Sequence, residues 1–304
     1  MEGLQEIKKN INSTVNLKAI VNTMKAHASS NINQFQNAAK ASMEYRNVLD
    51  MSLFVVLSEE DELLPLDEVV RGTRLHIVFG SDHGLAGRFN ERITSFALKR
   101  ISKSEIEKVI IIGQQVFQRI KDDLNVYKTF MQPQSTDNIS SMVNGLLVQI
   151  DELRDETPIE KIILYYNKPF DNATFVEETE LLFPIDLFEL AREKVKWGSR
   201  SIPTYFADRE VIISDLIKQY LFITLYRAFC FSLASENASR LASMQSAEKN
   251  IDTRLEELNF LFRRERQNNI TEELNDIVSG FKAIRNAKKE EEDEDDNKEL
   301  EKIE

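Results

Sequence analysis

The residues best placed to do chemistry are Gly80-Ser-Asp-His-Gly84-Leu-Ala-Gly87. They follow an apolar run, Arg74-Leu-His-Ile-Val-Phe79, and precede a helical pattern from Asn90 to Arg100. A glycine-rich loop that opens a helix is where phosphates meet backbone N–H groups. The spacing is not G-x-G-x-x-G, however, and G-x-x-x-x-G-K-[ST] occurs nowhere. A tight structural turn is therefore favoured over a nucleotide site. Asp82 and His83 have the residue types of a general-base pair, but no G-x-S-x-G nucleophile accompanies them. The histidines His27, His76 and His83 and the lone Cys230 show no metal-ligand spacing. The densest polar cluster is Arg263-Arg-Glu-Arg-Gln-Asn-Asn-Ile-Thr-Glu-Glu-Leu274. It reads either as a solvated helix face or as a surface held against a partner.

Composition narrows the classes. With 304 residues, 30% charged and 42% hydrophobic, the chain fills one large domain or two ordinary ones. One cysteine excludes an intrachain disulfide and suits a reducing compartment. Met1 to Asn16 lacks the apolar core of a signal peptide. Leu221 to Ala234, the most apolar window, is interrupted by Arg227 and is too short for a bilayer. A net charge of −12 offers no basic footprint, so no nucleic-acid partner is expected.

The elements that must carry these residues are marked by proline and glycine. All six prolines lie between Pro65 and Pro203, which places a loop-rich domain between two unbroken flanks. The first flank, Leu4 to about Leu57, has a helical stripe of Leu4, Ile7, Ile11, Val21, Met24, Ala28, Ile32 and Phe35. The second, Thr204 to Ser279, spans roughly 115 Å if it is continuous helix. Its seam runs Ala234, Ala238, Leu241, Ile251, Leu255, Leu258, Phe262, Ile270, Leu274, Ile277 and Phe281, in steps mostly of three and four. Such a helix must hide its apolar face, and the other end of the same chain is the expected cover. Between the flanks, strands are expected at Arg74–Phe79, Lys108–Ile112, Lys161–Tyr166 and Glu180–Leu187, with Pro184 weakening the last. Helices are expected at Asn90–Arg100 and Gln114–Leu124, and a third runs to Glu152 after a turn or cap at Ser135-Thr-Asp-Asn138. Alternation with continuous apolar strands argues an α/β layer with a largely parallel sheet. The expected divisions are 1–58, 70–200, 204–287 and a disordered tail over 288–304, where seven acids run from Glu290 to Asp296.

Three separated stretches resemble the γ subunit family of F-type ATP synthases. They are Leu17-Lys-Ala-Ile-Val-Asn-Thr-Met-Lys-Ala-His-Ala28, Ser81-Asp-His-Gly-Leu-Ala-Gly-Arg-Phe-Asn90, and the pair Ser235–Ala247 with Arg266–Gly280. The resemblance covers residues 1 to about 285. Met24-Lys-Ala-His-Ala-Ser29 and Phe79-Gly-Ser-Asp-His83 are similar to the alternative, sometimes sodium-linked, bacterial branch. The resemblance implies an antiparallel coiled coil of the two termini with a Rossmann-like α/β domain inserted between them.

It also implies a rotor shaft that has no catalytic site or cofactor and couples rotation to ATP chemistry on β subunits. The implied partners are the α and β subunits, the ε subunit and the membrane c-ring. The implied location is peripheral, on the cytoplasmic face of the bacterial inner membrane. Met24, Lys25, Arg240, Arg266, Gln267, Thr271 and Glu273 are the implied β contacts, and Gly84, Gly87 and Asn90 the structural turn. Ala86 stands where the family usually has cysteine, and Asn31–Gln34 where it has a basic run. The rival readings are a coiled-coil scaffold with an α/β head and a nucleotide-binding enzyme with helical arms.

Overall fold

β-branched and aromatic residues dominate the strands, and the central strands hide both faces. β1 (Thr73–Phe79), β2 (Glu107–Ile112), β3 (Val126–Phe130), β4 (Ile159–Asp171) and β5 (Thr174–Phe183) form one sheet in the order β3-β2-β1-β4-β5. The first four strands are mutually parallel, and β5 returns antiparallel to β4. The helices are α1 (Glu2–Leu57), α2 (Phe89–Leu98), α3 (Gln114–Ile120), α4 (Thr136–Glu156) and α5 (Arg209–Leu300). The structure is a computed structural model and describes residues 2–57, 72–171, 174–185 and 204–300.

The chain divides into two packed units, Thr23–Gln245 and Met1–Asn22 with Ser246–Glu304. In the larger unit, alternate strand residues go to opposite sides of the sheet. Leu75, Ile77, Phe79, Ile110, Ile112 and Leu164 meet α4 (Ile139, Val143, Leu146), α1 (Phe35, Ala39) and α5 (Leu225, Phe229, Leu233). Val78, Val109, Ile111 and Tyr165 meet α2 (Ile93, Ala97) and α3 (Val116, Ile120). This two-sided cover explains why the strands read as continuous apolar runs.

Within this unit α1 runs antiparallel to α5. Arg46 stacks on Tyr220 at 3.6 Å, donates to its hydroxyl, and donates to Thr224 Oγ1 at 2.9 Å. Tyr45 donates to Gln219 Oε1 at 3.1 Å. The smaller unit has the same sense. Lys18 pairs with Asp252 at 2.5 Å, and Gly3 lies beside Glu265. The seam there is Leu4, Ile7, Ile11, Thr14 and Lys18 against Ile251, Leu255, Leu258 and Phe262, all at least partly covered.

Several elements differ from the sequence expectation. The seam beyond Asn269 has no cover: Ile270 is 49% exposed, Leu274 57%, Ile277 64% and Phe281 75%. The antiparallel register uses up α1 at Glu265, so the rest of α5 runs past the end of its partner. α5 also continues as helix through the acidic run to Leu300, where a disordered tail was expected. Lys, Glu and Ala are strong helix formers, and no glycine or proline interrupts them. Residues 301–304 of that tail lie outside the described residues. α5 begins at Arg209 rather than Thr204, with Ile212 N–H donating to Asp208 O at 3.1 Å. β3 was not expected, because it is a short, partly exposed edge. β4 and β5 form a longer hairpin than the apolar runs suggested. β5 ends at Phe183, and the expected extension through Asp186 and Leu187 lies outside the described residues.

One buried polar group tests the packing of the sheet. His76 is 3% exposed, with Nδ1 3.1 Å from the Tyr165 hydroxyl and Nε2 bonded to Glu107 Oε2. Burial pushes the imidazole below its ordinary range, against the pull of Glu107. A depressed folded value favours the neutral ring in the fold. Its stabilisation is therefore present above the unfolded value near 6.5 and is lost as pH falls toward the folded value. Between pH 7.5 and 5 the protein should lose stability faster than its His76→Gln variant, by at most about 1.4 kcal/mol per pH unit. Parallel melting-temperature curves for the two proteins would show that His76 does not contribute this pH dependence.

Candidate functional site

The loop after β1 is closed by its own side chains. Asn90 is buried in the first turn of α2; its Oδ1 accepts from Ser81 N–H at 3.0 Å, and its Nδ2 donates to Ser81 Oγ at 2.8 Å. Asp82 Oδ1 accepts the N–H of Gln114, the first residue of α3, at 3.0 Å. Its Oδ2 accepts the N–H of Gln132, just after β3, at 2.8 Å. The start of α3 thus holds a carboxylate of this chain, which ties the loop after β1 to that helix. This also corrects the general-base pairing of Asp82 with His83: both Asp82 oxygens serve main-chain donors.

α5 fills the crevice at the carboxyl ends of β1 and β4, where a dinucleotide lies in sheets of this topology. Ser235 Oγ donates to Asn167 O at 3.0 Å, and Ser239 Oγ donates to Ala86 O at 2.6 Å. Gly87 has φ +54°, and a Cβ there would lie 2.8 Å from Ser243 Oγ and 3.2 Å from Ser239 Oγ. Gly87 therefore fits both the turn and the close approach of α5. A Cβ on Gly84 would meet nothing within 4 Å, so sterics do not require glycine there. The other left-handed residue of the loop is Leu85, with φ 63° and 63% exposure.

Beside this loop, still within the larger unit, lies a cleft of about 370 Å³. Met24 and His27 of α1, His83 and Leu85 of the loop, and Glu236 and Arg240 of α5 line it. Glu236 is 3% exposed. Its Oε1 accepts from Arg240 at 2.5 Å, and its Oε2 accepts from Gln132 Nε2 at 2.5 Å. Burial raises the Glu236 carboxyl above the usual range, while Arg240 and Gln132 oppose that rise. The cleft offers an apolar floor and one guanidinium edge, a surface suited to an acidic, partly apolar segment of a partner.

The expected contact residues thus fall in two places. Met24, Gly84 and Arg240 line the cleft, and Lys25 is half-buried next to Met24 on α1. Arg266, Gln267, Thr271 and Glu273 belong to the other unit, all exposed on α5; Thr271 Oγ1 donates to Gln267 O at 2.9 Å. The sequence reading missed Glu236 and Gln132. The i,i+4 spacing of Glu236 and Arg240 was the available signal. Nothing local announces Gln132. Among the described residues no cluster of three or more His, Cys, Asp or Glu is arranged to hold a metal, and no helix is long and apolar enough to cross a membrane.

A family model described as ATP synthase matches residues 3–284. The ATP synthase gamma chain of Clostridium acetobutylicum is 28% identical over 290 residues, covering 93% of this chain and 99% of that one. The ATP synthase gamma chain of Granulibacter bethesdensis is 25% identical over 301 residues, covering 93% and 100%. Among solved structures, a chain of the Euglena gracilis mitochondrial ATP synthase (OSCP/F1/c-ring, rotational state 3) aligns with a TM-score of 0.65 at 13% identity. That alignment covers 94% of this chain and 96% of that chain. A chain of the Tetrahymena thermophila mitochondrial ATP synthase central stalk and c-ring aligns with a TM-score of 0.52 at 18% identity, covering 75% and 99%.

Proposed function

This chain belongs to the ATP synthase gamma-chain family, and from that premise we propose how it works as the rotor stalk of an F-type ATP synthase. It couples rotation of the membrane ring to ATP synthesis or hydrolysis on the β subunits, and its partners are α, β, ε and the c-ring. The observation that carries this reading is the family match over residues 3–284, which takes in the sheet with its helices, nearly all of α1 and α5 as far as Ile284. A free-standing coiled-coil scaffold is not favoured, because it needs no such match.

The chain performs no chemistry of its own. One feature supports this: α5 packs into the crevice a dinucleotide would use. Met24, Lys25 and Arg240 meet one part of a β subunit, and Arg266, Gln267, Thr271 and Glu273 meet another. A guanidinium offers several directional donors to a carboxylate, so Arg240 and Arg266 are the anchors of these contacts. The stalk sits at the cytoplasmic face of the bacterial inner membrane.

One experiment covers these points. Inside-out membrane vesicles washed at low ionic strength should release the chain together with α and β subunits as an ATP-hydrolysing complex. The purified chain alone should bind neither ATP nor NAD. Release of the chain without α and β would refute the rotor reading. Saturable nucleotide binding by the isolated chain would refute the non-catalytic one.

A further inference from the structure

We infer that Glu236 is the positioning residue of Arg240, holding the guanidinium so that its remaining donors face the cleft. The inference rests on the reading of Arg240 as a β-subunit contact and adds a residue to it.

The geometry is a chain of bonds from α5 to the far side of the sheet. Arg240 NH2 donates to Glu236 Oε1 at 2.5 Å and approaches Gly84 O at 3.5 Å. Among the described residues, every hydrogen bond of Arg240 runs through NH2. A guanidinium has five N–H donors, so Nε and NH1 remain for a second carboxylate. The other Glu236 oxygen takes Gln132 Nε2, and the Gln132 N–H goes to Asp82, which also holds the start of α3. Arg240 is thus seated on a buried carboxylate that is itself tied to two loops of the α/β unit.

The seat is stiff for a physical reason. A carboxylate buried to this degree is costly unless it is paired. Swinging Arg240 away would leave Glu236 charged without its principal partner, so the pair holds its geometry. An exposed arginine would have to lose its side-chain entropy when a partner arrives. Arg240, with its side chain 15% exposed, has already lost much of that freedom.

Protonation of Glu236 would release the seat. The charged or titratable groups facing it are Arg240 on α5, Asp82 and His83 on the loop after β1, and His27 on α1 across the cleft. Gln132 faces it as a neutral donor. Because burial holds the Glu236 carboxyl above the ordinary range, the seat is lost at a higher pH than an exposed glutamate would lose its charge.

The test is a double-mutant cycle in the complete α, β and gamma complex, reading ATP hydrolysis against ATP concentration and pH. Glu236→Gln keeps the side chain's shape and removes a buried charge, so the chain is expected to fold. It should lower turnover at saturating ATP by about tenfold, the scale of one positioned charge-assisted contact, with KM for ATP unchanged. Added to Arg240→Ala, it should cost less than about twofold more, because coupled residues are not additive. The acid limb of the pH profile should be weakened in Glu236→Gln and also in Arg240→Ala, and the second comparison needs no change at position 236. If Arg240→Ala leaves turnover untouched, the contact reading itself falls. If Arg240→Ala impairs the complex while Glu236→Gln does nothing or adds in full, only the positioning role of Glu236 is overturned.

Discussion

Gly113→Ala is expected to lower the melting temperature of the protein by about 10 °C, from a cost of about 3–5 kcal/mol in a domain of this size. Gly113 sits at the junction of β2 and α3 with φ 96° and ψ 129°, a conformation that side chains oppose. A Cβ there would lie 2.6 Å from Gly80 C and Ser81 N, and 2.8 Å from Ser81 C. These are main-chain atoms and cannot rotate aside. Moving them would strain Gly80 N–H to Ile112 O (2.7 Å), Gly113 N–H to Phe130 O (2.9 Å) and Gln115 N–H to Ser81 O (2.9 Å) together. Gly84→Ala, with open space around it, is the control and should leave the melt within about 1 kcal/mol of the parent. Equal melting curves for the two variants would show that the β1–β2 junction is not packed as described.

Alanine at Arg266, Gln267, Thr271 and Glu273 together should behave in the opposite way, leaving the chain folded and the complex slow. All four are exposed, and the described hydrogen bond of the set is the helix-internal Thr271 Oγ1 to Gln267 O. Alanine is the better helix former, so the chain alone should melt within about 0.5 kcal/mol of the parent. In the assembled complex the loss of a guanidinium and an amide should reduce ATP turnover by tenfold or more, on the order of one or two charged contacts. A complex of unchanged turnover would remove these residues from the coupling surface. A chain that unfolds would show that they hold the helix rather than a partner.

Much of the architecture was legible because it rests on patterns that repeat. The stripe Leu4, Ile7, Ile11 and the seam Ile251, Leu255, Leu258 announced two paired helices, since period alone identifies a face that must be covered. Val109 to Ile112 and Leu75 to Phe79 announced strands buried on both sides. What was not legible depends on partners distant in sequence. β3 carries Lys128 and Thr129 at a half-exposed edge, so its strand character comes from pairing with β2. The end of the covered seam could not be read from α5, because Ile270 and Leu274 keep the same spacing as Leu258 and Phe262. Only the position of Gly3 beside Glu265 decides where cover stops.

The site divided along the same line. Gly87 and Asn90 follow from the local turn, whereas the carboxylate that seats Arg240 is joined to Gln132, 104 positions away. Asp82 read as a catalytic type because its neighbour is a histidine; its real partners are two N–H groups, 32 and 50 positions on.

The uncovered stretch of α5 bears on how torque passes along the smaller unit. Where Lys18 grips Asp252 and Ile11 shares a seam with α5, twisting one helix drags the side chains of the other, and two backbones resist together. From Ile270 to Ile284 a single ladder of i→i−4 hydrogen bonds carries the load. Under one torque the greater angular give belongs to that single-helix stretch. The stretch is then a soft torsional element in series with a stiff one, and elastic energy wound up during a turn collects there first.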